Sequence, residues 1–132
     1  MKHAASLILA LGFTTLLVAQ EAAGKSLEDF ERTGEFSECL PHGRYRYDAL
    51  DSTRFLFRVG AGDFFLNEAT DPCEKAESKS FVTVLEKTGT KICSGVSVWV
   101  TDRDSGGVIS SCRLGAFERL VLKPKSDEQK SD

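Results

Sequence analysis

The chain has 132 residues, 17 of them basic and 20 acidic, for a net charge of −3 at pH 7. A mildly acidic chain of this size is a poor general binder of nucleic acid or anionic lipid, and it can build one small domain and no more. No cofactor signature appears in it.

Met1-Lys2-His3 precedes an apolar run from Ala4 to Ala19. A short basic start, an apolar segment and small residues after it read as an export signal, and the run falls short of the about 20 residues needed to span a membrane. Cleavage is placed after Gly24, with Ala19 as the competing site. The first cysteine is Cys39, too far along to carry a lipid at the cut. Residues 1–24 are therefore a leader, and the mature protein has no membrane span and is periplasmic or secreted.

Residues 25–38 read as a polar lead-in. Ser26 as N-cap, Asp29 three residues on, and Leu27, Phe30 and Gly34 predict one or two helical turns. Residues 39–122 read as a single β domain. Strand alternation runs through Arg44 to Leu50, Arg54 to Val59 and Phe64 to Leu66, with turns at Asp51-Ser52 and Gly60 to Asp63. Asp71-Pro72 predicts a helical turn carrying Cys73. Phe81 to Glu86 is strand again, and Thr88-Gly89 turns it into Lys91 to Cys93. Val96 to Thr101 and Val108 to Leu114 form a hairpin across a polar loop, and Phe117 to Leu122 supplies a last strand. Lys123 to Asp132 is polar and predicted disordered. The sum is a mostly-β fold: a small, disulfide-bridged antiparallel barrel or sandwich of six or seven strands with short helical turns.

Cys39, Cys73, Cys93 and Cys112 all survive cleavage, and an even count in an exported domain reads as two disulfides. Zinc fails on spacing, because no two cysteines lie closer than 19 residues. Of the three possible pairings, Cys73–Cys93 with Cys39–Cys112 is expected: the first closes a local loop, the second ties the sheet's start to its final hairpin. Asp102-Arg103-Asp104-Ser105-Gly106 has the alternate acids of a calcium loop, but the twelfth position is Arg113 rather than glutamate, so a hairpin turn is expected. His42 is the sole mature histidine and no Gly-x-Ser-x-Gly is present, so a catalytic triad has little to build on. No catalytic or metal-binding residues are assigned.

Arg44, Arg46, Arg54 and Arg58 are the one patterned charged feature. If the first two strands of the 39–122 domain pair across Asp51-Ser52, the four guanidinium groups share a sheet face suited to carboxylate or phosphate groups. Acidic neighbours on an ordinary solvent face are the competing explanation.

Cys39-Leu40, Leu50 to Phe57 (LDSTRFLF), Phe65-Leu66-Asn67, Pro72-Cys73, Ile92 to Gly95 (ICSG) and Cys112-Arg113-Leu114-Gly115-x-Phe117 occur in that order. This pattern resembles a family of small exported proteobacterial proteins catalogued as a domain of unknown function. Members often carry Asp after the glycine of the third cysteine motif, where this chain has Val96. The resemblance implies a periplasmic location and no activity. The reading is an exported, non-catalytic binding or structural module whose partner is a protein or a small anionic ligand. The alternative is an inhibitor of a cell-wall hydrolase, although the Ser-Gly-x-x-Tyr loop of such lysozyme inhibitors is absent.

Overall fold

The computed structural model describes residues 26–86 and 89–124. The expected leader and its cleavage site, Thr88 of the Thr88-Gly89 turn, and the tail from 125 onward lie outside the described residues. Among the described residues eight strands form two antiparallel sheets: β1 (Phe30–Ser37), β2 (Tyr45–Ala49), β3 (Arg54–Val59), β4 (Asp63–Glu68), β5 (Phe81–Glu86), β6 (Ser97–Asp102), β7 (Val108–Arg113) and β8 (Phe117–Leu122). The large sheet runs β1-β8-β4-β3-β2 and the small one β5-β6-β7. The architecture is a sandwich of two open sheets rather than a closed barrel.

The turns follow from their side chains. The Asp51 carboxylate accepts from the backbone N–H groups of Thr53 and Arg54, each at 2.9 Å, and this Asx turn reverses β2 into β3. Burial works to raise the Asp51 carboxyl, but hydrogen bonds from Thr53 and Arg54 outweigh it and hold the group below the usual carboxylate range. Gly60 turns β3 into β4 with φ +63°, a conformation that needs no Cβ. At the β6–β7 hairpin, Asp102 accepts from the N–H groups of Asp104 and Ser105 at 2.8 and 3.0 Å, so the acidic loop is a self-bonded turn.

Alternation puts Phe55, Phe57, Val59, Phe65 and Phe117 of the large sheet against Val98, Val100 and Cys112 of the small one, all buried. Phe57 and Phe117 meet edge to face at 5.3 Å. The Tyr47 hydroxyl donates to the Thr83 carbonyl at 3.0 Å and lies 2.8 Å from the Thr83 hydroxyl, bridging β2 and β5; burial pushes its phenol up, against a smaller opposing effect of the Thr83 hydroxyl.

The lead-in is part of the domain. It holds one 3-10 turn, Leu27–Asp29, and then β1, which pairs with β8. Phe30 is buried against Phe64 at 4.8 Å, in a second small core with Leu56, Leu66 and Leu120 on the far face of the large sheet. Gly34, at φ +77°, sits inside a register shift between Arg32 and Phe36, which breaks the alternation that would have marked a strand. The shift is pinned from β8. The Glu118 carboxylate, its side chain 4 % exposed, accepts from Arg32 Nε at 2.8 Å and Nη2 at 2.6 Å, and from Gly34 N–H at 2.9 Å.

Two further expectations are corrected. The segment after Asp71-Pro72 holds a hydrogen-bonded turn at residues 74–77, not a helical turn; the Asp71 carboxylate accepts from the Thr70 hydroxyl and from Arg113 N–H on β7 instead of capping. The disulfides are Cys39–Cys93 and Cys73–Cys112, not Cys73–Cys93 and Cys39–Cys112. Residues 38–40 run antiparallel to 92–94, with Leu40 N–H on Ile92 O and Ser94 N–H on Glu38 O, so Cys39 lies beside Cys93. Cys112 is paired with Val98 on the inward face of the small sheet, where the turn after β4 delivers a fully buried Cys73.

Candidate functional site

β2 and β3 pair with Tyr45 opposite Val59, Arg46 opposite Arg58, and Tyr47 opposite Phe57. The tyrosines and Phe57 face the core, so alternation turns Arg46 and Arg58 outward, side by side. Like charges directly opposite one another destabilise a sheet unless something offsets them. Arg44 precedes β2, and its carbonyl accepts from Gly60 N–H at 2.8 Å, which ties the β3–β4 turn to the start of β2. Gly43 passes so close to β3 that a Cβ there would stand 3.2 Å from a Val59 methyl group. This end of the hairpin forms a cleft of about 830 Å³, lined by the two glycines, Arg44, Tyr45, Arg46, Arg58 and, from the loop after β5, Thr90.

The three cations are held differently. The Arg58 guanidinium donates to the Ala61 carbonyl at 2.8 Å and lies 5.8 Å from the Phe64 ring centre, so its head is fixed over an aromatic face. The Arg44 and Arg46 guanidinium groups are exposed and make no hydrogen bond or ion pair with a described residue. Asp48, next along the same face of β2, pairs with neither. The cleft therefore offers two free guanidinium forks, one fixed guanidinium and a hydroxyl.

Arg54 does not join them. Its Nε and Nη2 both lie 2.8 Å from Asp51 Oδ2, at the opposite end of β3. Three of the four arginines picked out by alternation are thus brought together, and the fourth belongs to the turn. Thr90 escaped sequence reasoning because it comes from a loop far along the chain. His42 is exposed beside the cleft's rim segment and hydrogen-bonds to no described serine, threonine or acid. Among the described residues no three histidine, cysteine or acidic side chains stand together as metal ligands.

A different polar cluster has a structural task. Asn67, fully buried in β4, donates through Nδ2 to the Gly115 carbonyl at 2.7 Å and accepts from Gly115 N–H at 2.8 Å. Those paired bonds hold Gly115 so tightly that a Cβ on it would collide with the Glu68 carbonyl oxygen. Compared with protein-family models, with curated proteins and with solved structures, the chain gives no match.

Proposed function

We propose that this chain is an exported, non-catalytic binding domain that takes an anionic group of its ligand in the cleft formed by Arg44, Arg46, Arg58 and Thr90. The observation that carries this reading is the Arg46–Arg58 cross-strand pair, with Arg44 and Arg46 unpartnered among the described residues in a chain of net charge −3. An acidic chain that gathers cations without acids to offset them leaves that offset to a ligand. Guanidinium forks favour planar or tetrahedral oxyanions, so carboxylate and phosphate groups are the class expected. A volume of about 830 Å³ suits a ligand larger than the bare ion, of the size of a glycan unit or a lipid headgroup.

Two disulfides favour an oxidising compartment. The leader and the likeness to exported proteobacterial proteins favour the periplasm. The non-catalytic reading rests on His42, which hydrogen-bonds to no serine, threonine or acid among the described residues as a triad would require.

Thermal melts in a low-salt, non-coordinating buffer test the proposal. Phosphate at ten times its Kd stabilises by about 1.4 kcal/mol, which raises Tm by roughly 5–10 °C in a domain of this size. The R46A/R58A double variant loses that rise. A wild-type Tm unmoved by phosphate or by an acidic glycan overturns the proposal.

A further inference from the structure

The outer face of the small sheet carries four of the seven large apolar side chains that stand exposed among the described residues: Val82, Val84, Val108 and Ile109. Its strands pair in rows, and partners in a row share a face. Val98 and Val100 point into the core, so Ser97, Trp99 and Thr101 of β6 point outward. The rows are Glu86–Ser97–Arg113, then Val84–Trp99–Ser111, then Val82–Thr101–Val108. An apolar centre is thus bordered at one end by an acid on β5 and a base on β7, at equal distance from the middle strand.

The sheet's edges are less open than its face. Tyr47 bonds Thr83 on β5, while the Arg113 carbonyl on β7 accepts from Thr70 N–H at 2.9 Å and the Ser110 hydroxyl donates to the Glu74 carbonyl at 2.8 Å. Strand addition is hindered there, and face-to-face contact is what remains.

We infer that this face is the contact surface for a second copy of the chain. A two-fold axis parallel to β6 in the plane between two such faces lays β5 of one copy over β7 of the other, row on row. Glu86 then meets the partner's Arg113, Arg113 meets the partner's Glu86, and Trp99 packs on the partner's Trp99. Aligned strands are one of the two ordinary ways sheets stack. Glu86 already accepts from Trp99 Nε1 at 2.9 Å, which orients both for the contact; the Arg113 guanidinium has no partner among the described residues. Three strands about 4.8 Å apart and about 20 Å long cover roughly 300 Å². That is well below the ~800 Å² per partner of a standard interface, so the dimer is weak and forms near millimolar protein.

Sedimentation equilibrium up to about 1 mM, with Trp99 fluorescence as a local reporter, tests this. Trp99 is the sole tryptophan, so a blue shift with concentration reports this face alone. Wild type is expected to move toward the dimer mass. E86R and R113E, both at exposed positions, are expected to keep the wild-type melting profile while each weakens dimerisation at least tenfold. An equimolar mixture of the two restores it, because each reversed charge then meets its opposite; a variant that merely misfolded cannot do this. A wild type that stays monomeric at 1 mM overturns the inference and leaves the face to another partner. A dimer indifferent to both reversals, or a mixture no better than its components, overturns it equally.

Discussion

Glu118→Gln is the sharpest perturbation of the fold. The carboxylate is buried, with its side chain 4 % exposed, and accepts three hydrogen bonds, two from the Arg32 guanidinium and one from Gly34 N–H. Glutamine keeps one acceptor oxygen and turns an amide N–H₂ toward a donor at the other. Breaking a fully buried pair costs about 3–5 kcal/mol. Arg32 is 47 % exposed and water recovers part of the loss, so about 2–3 kcal/mol is expected at pH 7. For a domain of this size that lowers Tm by roughly 10–20 °C. The pH dependence carries the mechanism. Burial tends to raise the Glu118 carboxyl, but the Arg32 and Gly34 hydrogen bonds outweigh it and hold the group below its ordinary value. A depressed folded-state pKa contributes stability that is present above the unfolded pKa, about 4.3, and is lost as pH falls through the folded value. Urea melts at pH 7 and in steps down to pH 2.5 should therefore show the gap between wild type and E118Q closing with acid. A gap as large at pH 2.5 as at pH 7 would refute the ion-pair account of how β1 is held.

Gly115→Ala should cost more than Asn67→Ala, because it drives a Cβ into the Glu68 carbonyl where the latter only removes two hydrogen bonds; chemical denaturation ranks them, and the reverse order contradicts the clamp. Non-reducing peptide mapping should recover Cys39 with Cys93 and Cys73 with Cys112. The chain-entropy relation gives about 4 kcal/mol for each of these loops, so C73S/C112S should melt far below wild type, and a small shift would show that the bond constrains little. Arg54→Ala should weaken the fold modestly by removing the Arg54–Asp51 ion pair beside the turn yet leave the phosphate-induced Tm rise intact; loss of that rise would return Arg54 to the site.

Much of the sandwich was legible because its strands obey a two-residue period and end at residues with turn chemistry. Tyr45–Ala49 and Arg54–Val59 were expected within a residue of their observed ends. β1 was missed because Phe30–Ser37 is polar and interrupted by Gly34, and its strand character comes from β8 rather than from its own pattern. Loop length alone points to the wrong disulfide pairing, because face and register decide which cysteines meet. Cys112 alternates with the outward Arg113 and Ser111, which left it pointing inward, while only the return of 38–40 against 92–94 brings Cys39 to Cys93. At the site, alternation grouped the arginines correctly by face but could not separate Arg54; the spacing of Asp51 and Arg54, three residues apart across a turn, was the available signal. Thr90 depends on long-range packing that no local pattern encodes.

The anion cleft is tested most directly by following backbone amides in a 1H–15N correlation spectrum while inorganic phosphate is titrated into the protein at low ionic strength. Saturable shifts are expected at Gly43 to Arg46, Arg58 to Gly60 and Thr90, with Arg54, Arg113 and Arg119 unmoved. Shifts that follow every exposed basic residue alike, without saturation, would contradict the anion cleft.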